Sequence, residues 1–115
     1  MIVGHAGYDT AELQTPLNTA GMVGDSVTLS CRRPGQKIAW TFVPAFSASS
    51  VTIVSGCEVV PGAGGRYRVA TMYDACHLVI DKLSSAHAGA YTCQYLGSSE
   101  KPAEAQLVVL SKCNT

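Results

Sequence analysis

The chain has 115 residues, 47% of them apolar and 14% charged, with eight Lys and Arg balancing eight Asp and Glu. That length suits one domain rather than two. Without a basic excess there is no electrostatic case for nucleic acid or an anionic membrane surface, and no apolar run approaches the roughly 18 residues of a spanning helix.

Residues 1–10 read as a loose tail. Met1-Ile-Val-Gly-His-Ala-Gly7 is too short and too broken for a leader peptide, so any leader or membrane anchor is expected outside this chain. Short segments with period-two alternation then follow, the pattern of half-buried strands. They are Val27–Cys31, Ile38–Phe42, Val51–Val54, Tyr67–Thr71, His77–Asp81, Tyr91–Tyr95 and Ala105–Leu110. Turn-forming clusters separate them, among them Arg33-Pro-Gly35, Ser47–Ser50, Pro61-Gly-Ala-Gly-Gly65 and Gly97–Pro102. Leu83–Gly89 has room for one helical turn. The expectation is an all-β sandwich or barrel with no internal repeat.

Five cysteines, Cys31, Cys57, Cys76, Cys93 and Cys113, are dispersed among the strands. None has the C-x-x-C spacing of a zinc site, and Cys76 and His77 are strand neighbours that point to opposite faces. The reading is disulfides in an oxidising, extracellular setting, with no metal or other cofactor. Five is odd, so one thiol is free or pairs with another chain.

Gly24-Asp-Ser-Val-Thr-Leu-Ser-Cys31, Trp40, Arg66-Tyr-Arg-Val69, Leu78-Val-Ile80 and Ala88-Gly-Ala-Tyr-Thr-Cys93 together resemble an immunoglobulin domain of the variable type over roughly residues 11–111. Residues 112–115 are then a C-terminal tail. The resemblance implies two antiparallel sheets with Greek-key connections, nine strands, and a core disulfide between Cys31 and Cys93, 62 positions apart. It also implies Trp40 packed on that bridge and the Tyr91 hydroxyl returning to backbone at a sheet corner. It puts Cys57 and Cys76 toward one end of the sandwich, where they can pair, and leaves Cys113 as a tail cysteine, free or interchain.

The chain departs from the family pattern. His87 occupies the slot of the Asp that usually pairs with the Arg at position 66. The last strand, Glu104–Leu110, lacks the Phe-Gly-x-Gly of rearranging receptors, and no Arg follows Tyr91 as in sialic-acid-binding relatives. It is most similar to nephrin-like adhesion proteins and to invertebrate or early-chordate immune-type receptors. There is no N-glycosylation acceptor. Ser84, Ser85 and His87 sit together on a connection that offers no pocket, and His77 is expected to point outward, so catalysis is not expected.

The implied function is extracellular protein recognition. With Trp40 and Cys93 inward, alternation sends Ala39, Thr41, Val43, Thr92, Gln94 and Leu96 outward, joined by Val108 and Leu110 on the last strand. None of these eight is charged. Such a face suits a protein partner, either a second copy in a homodimer or a related immunoglobulin-type protein. The alternative is an immune-type receptor that binds foreign ligands through its end loops. Those considered, Arg32–Lys37 and Gly97–Ala103, are short and poor in aromatic anchors. A structural spacer is the third reading.

Overall fold

The computed structural model describes residues 14–33 and 37–111. They form nine strands: β1 (Thr19–Met22), β2 (Val27–Leu29), β3 (Lys37–Pro44), β4 (Val51–Ser55), β5 (Glu58–Val59), β6 (Tyr67–Ala70), β7 (His77–Ile80), β8 (Gly89–Leu96) and β9 (Ala103–Leu110). One sheet runs β1-β9-β8-β3-β4-β5 and the other β2-β7-β6. Every pairing is antiparallel except β1 with β9.

The alternation read from the sequence puts the core where expected. Ile38, Trp40 and Phe42 on β3, Tyr91, Cys93 and Tyr95 on β8, and Ala105 and Leu107 on β9 are buried against Leu29, Leu78 and Ile80 of the opposite sheet. Cys31 and Cys93 bridge the sheets with Cα atoms 6.5 Å apart. Closing a loop of that length restricts the unfolded chain by about 4 kcal/mol in the chain-entropy model. Trp40 lies in register with Cys93 and is fully buried. Its Nε1–H donates to the Cys76 carbonyl at 2.8 Å, so the indole has its polar partner as well as its packing.

Tyr91 forms the expected corner, its hydroxyl donating to the His87 carbonyl at 2.6 Å. Its ring stacks on Phe42 with centroids 4.4 Å apart. Burial, with the neighbouring Tyr67 hydroxyl, pushes the Tyr91 phenol far above its ordinary range. Beside it Gly89 has φ +150°, and a Cβ there would collide with the Val43 carbonyl oxygen, so the start of β8 tolerates only glycine.

Two strands and one turn were not legible in the alternation. β1, Thr-Ala-Gly-Met, has little β-propensity of its own and exists by parallel pairing with β9. β5 is two residues long. A 3₁₀ turn at Met72–Asp74 joins β6 to β7, whereas the turn at Ser85–His87 lies where the sequence left room for one.

Candidate functional site

Three regions carry chemistry-bearing side chains. The first is the corner around His87. Its Nδ1 accepts the Ser84 N–H at 2.9 Å, and the Ser84 hydroxyl lies 3.4 Å from the same nitrogen. This is a capping box closing the 3₁₀ turn, not an activated hydroxyl, because the ring nitrogen is already occupied by a backbone donor. The His87 ring meets Tyr67 edge-on at 5.5 Å. Burial, and then the Arg66 charge, hold His87 below its ordinary pKa.

Arg66 itself donates to the Lys82 carbonyl at 2.7 Å. The ion pair expected of that corner is displaced to Arg68 and Asp81, 2.7 Å apart, with the Ser26 hydroxyl donating to the same carboxylate at 2.8 Å. The Arg68 guanidinium, then the Ser26 hydroxyl, hold the Asp81 carboxyl below its usual value. Neither Arg68 nor Asp81 stood out in the sequence, since their pairing depends on β6 lying against β7.

The second region is the end of the sandwich pinned by Cys57–Cys76, whose Cα atoms are 5.8 Å apart. The disulfide ties the β4–β5 turn to the β6–β7 connection. On that connection Tyr73 and Asp74 both have left-handed backbone, φ 58° and 63°. The Arg32 Nε–H donates to the Tyr73 carbonyl. Tyr73 and Met72 project outward, 82% and 72% exposed. Arg33 pairs with Glu100 and lies 5.4 Å over the Tyr95 ring, linking the segment after β2 to the β8–β9 hairpin. The two loops considered in the sequence are poor in aromatic anchors; Tyr73 supplies one from the connection between the strand candidates Tyr67–Thr71 and His77–Asp81, which the alternation leaves unassigned. His77 at this end is half-buried and not simply outward. Its Nδ1 accepts the Cys31 N–H at 3.0 Å, and burial, then Arg32, hold its pKa below the ordinary value.

The third region is the outward face of the six-stranded sheet. In register across β3 and β8 lie Lys37 with Leu96, Ala39 with Gln94, Thr41 with Thr92, and Val43 with Ala90. On β9, Glu104 stands opposite Thr92 and Gln106 opposite Ala90. Thr41, Val43, Thr92 and Gln94 are partly exposed, and Leu96, Val108 and Leu110 are exposed. Ala39 departs from expectation: it is 6% exposed, a methyl group shielded beside the longer Gln94. The face is also not free of charge. Lys37 and Glu104 share it, both exposed, and neither belongs to an ion pair among the described residues. Cys113 and both proposed tails, residues 1–10 and 112–115, lie outside the described residues.

A cleft of about 290 Å³ opens between β4 and β6, lined by Phe42, Val51, Ile53, Val60, Pro61 and Tyr67 among others. It brings together no nucleophile and base. Among the described residues no helix is long and apolar enough to cross a membrane.

A two-sheet sandwich with an intersheet disulfide, a buried tryptophan and a tyrosine corner defines a recognition domain of the immunoglobulin type. The family model for the immunoglobulin V-set domain matches residues 14–110, and the chain belongs to that family. A search of curated proteins finds no match. V-set domains are protein-recognition modules and not typically enzymes, and one with two disulfides fits an extracellular protein, because cytosolic thiols are kept reduced.

Proposed function

We propose that this domain recognises protein at the cell surface or as part of a secreted receptor, and that it does so through the outward face of β9, β8 and β3, by self-association or by pairing with a related V-set domain. The observation that supports this reading is the uncharged centre of that face. Thr41, Thr92, Gln94 and Ala39 lie side by side in register, where a sheet facing only water ordinarily carries Lys, Glu or Arg. Short polar side chains there are inexpensive to desolvate and still donate and accept hydrogen bonds. In sedimentation velocity the purified domain is expected to show a concentration-dependent dimer, and Thr41→Arg is expected to return it to monomer with its fold intact. A wild-type domain that stays monomeric at high concentration overturns self-association.

A second reading is supported by Met72 and Tyr73. Two large exposed side chains on a left-handed turn, held by a disulfide and by Arg32, make a rigid anchor of the sort that loop-end recognition uses. A foreign ligand bound by that end would be lost with Tyr73→Ala and unaffected by Thr41→Arg.

A further inference from the structure

We propose that the corner around Arg66 is an oxyanion site, taking the sulfate or phosphate group of an esterified ligand between the Arg66 guanidinium, the Ser84 hydroxyl and His87. The site lies apart from the six-stranded face and from the Met72–Tyr73 turn, and rests on neither reading of them.

Arg66 carries a charge that the chain does not answer. Among the described residues its one hydrogen bond runs from Nη1 to the neutral Lys82 carbonyl, at 2.7 Å, and no carboxylate pairs with it. That bond holds the guanidinium in place and leaves its remaining N–H groups open. Two open clefts, about 420 and 610 Å³, meet at Gly65 and Arg66. Both volumes fall within the roughly 300–1,000 Å³ of small-ligand sites.

The first cleft is lined by donors. Besides Arg66 it holds Ser84, His87 and the Gly64-Gly65 backbone, whose N–H groups have no backbone partner among the described residues. Neither glycine has an atom within 4 Å of where a Cβ would stand, so this backbone is open to close approach. Because His87 Nδ1 accepts the Ser84 N–H, the neutral ring carries its proton on Nε2. A tetrahedral oxyanion has enough oxygens to meet several such donors at once, where a carboxylate has two. The second cleft is lined by Ser26, Asp81 and Lys82 besides the shared pair. Its carboxylate, Asp81, is held by Arg68 and Ser26. The negative charge there disfavours the anion itself and leaves that cleft to the carrier of the ester.

His87 couples the site to pH. Burial, and then the Arg66 charge, keep its ring neutral. A bound dianion offsets that charge, so His87 protonates more readily when the site is filled. By reciprocity the anion binds more tightly as pH falls through the ordinary histidine range. The other titratable groups on this corner, Tyr67 and Tyr91, are held above their ordinary values by burial and stay neutral across that range. β9 also packs on the turn, and its buried residues Ala105 and Leu107 do not titrate.

The test is a titration of the isotope-labelled whole chain at constant ionic strength with free sulfate, a sugar sulfate and a sugar phosphate, read by the NMR shifts of the Gly64 and Gly65 amides and the His87 ring. Free sulfate serves for the pH dependence, since its own charge is constant across the range. It is expected to bind at least about threefold more tightly near pH 5 than near pH 8. At least one of the two sugar esters is expected to move the same signals, and the tighter of them identifies the group. Arg66→Gln is expected to weaken binding at least about tenfold. His87→Asn keeps an oxygen for the Ser84 N–H, and is expected to bind sulfate with the pH dependence lost. His87→Asp, whose carboxylate can take the anion's place against Arg66, is expected to abolish binding. Lys101→Gln, on the distant β8–β9 hairpin, is expected to change nothing. No shift in the wild-type chain, or shifts that persist undiminished in Arg66→Gln, overturn the site. A pH dependence retained in His87→Asn overturns the coupling through His87, and binding of free sulfate but of neither sugar overturns the ester ligand.

Discussion

The two sheets turn contrasting faces to their surroundings. On the three-stranded sheet the outward row is Thr28, Val79 and Arg68, and the charge is answered within the chain: Arg68 pairs with Asp81, and Asp81 also receives the Ser26 hydroxyl. On the six-stranded sheet the centre is neutral, and Lys37 and Glu104 stand apart with no such partner among the described residues. A face whose charges are satisfied internally is adapted to water. A face with a neutral centre is the one the proposed self-association uses.

The contrast can be broken most severely at the links that hold the sheets together. Replacing Cys31 and Cys93 together by Ala removes the intersheet bridge and leaves a cavity in the core, and is expected to cost about 4 kcal/mol or more by urea denaturation. Replacing Cys57 and Cys76 by Ser releases the β4–β5 turn from the β6–β7 connection. That is expected to cost about 3 kcal/mol in the same measurement, with assembly through the six-stranded face retained. A Cys57–Cys113 link in non-reducing peptide mapping would contradict this pairing.

Matched charges on the two faces sharpen the comparison. Thr41→Arg is expected to weaken self-association at least about tenfold, whereas Thr28→Arg, at the centre of the other face, is expected to leave sedimentation unchanged. Equal effects from the two substitutions would remove the distinction between the faces.

The corner beside the three-stranded sheet gives a pH dependence. The folded-state pKa of His87 lies below its unfolded value near 6.5. The unfolded chain therefore binds the extra proton first. The stability associated with a neutral His87 is full above that value and is lost as pH falls through it toward the folded pKa. His77 acts in the same direction. His87→Asp is expected to raise the melting temperature at pH 7, since a carboxylate can accept the Ser84 N–H and also face Arg66, and to reduce the loss between pH 7 and 5. An unchanged or lower melting temperature would count against that account. The smallest effect belongs to Arg68→Ala. Its ion pair with Asp81 lies in solvent, so melting at neutral pH is expected to shift little and assembly not at all.

Much of the frame was legible in the sequence because it depends on local period and a few large side chains. Alternation around Trp40, Tyr91 and Cys93 announced which way β3 and β8 face, and the family resemblance carried both cysteine pairs. β1 was hidden because Thr-Ala-Gly-Met has little preference for any structure. Gly21 is there because a Cβ would run into Leu83 and Val27, residues that only folding brings close. Tyr73 was hidden because its exposure depends on a left-handed turn held by Arg32 and a disulfide, neither of which alternation reports.

By itself, then, the order of residues determined an all-β chain, the rows that form its core and the uncharged outward set on β3 and β8, since period two needs nothing beyond the neighbouring residues, and the family resemblance added the two-sheet sandwich. Only the tertiary structure decided how the charges are disposed. Whether Arg66 or Arg68 finds a carboxylate, and whether Lys37 and Glu104 share one face, depends on the register between strands 13 to 67 residues apart in sequence, counting Arg68 to Asp81 and Lys37 to Glu104. Side chains that far apart along the chain become neighbours, or remain apart, through the backbone ladder that aligns their strands.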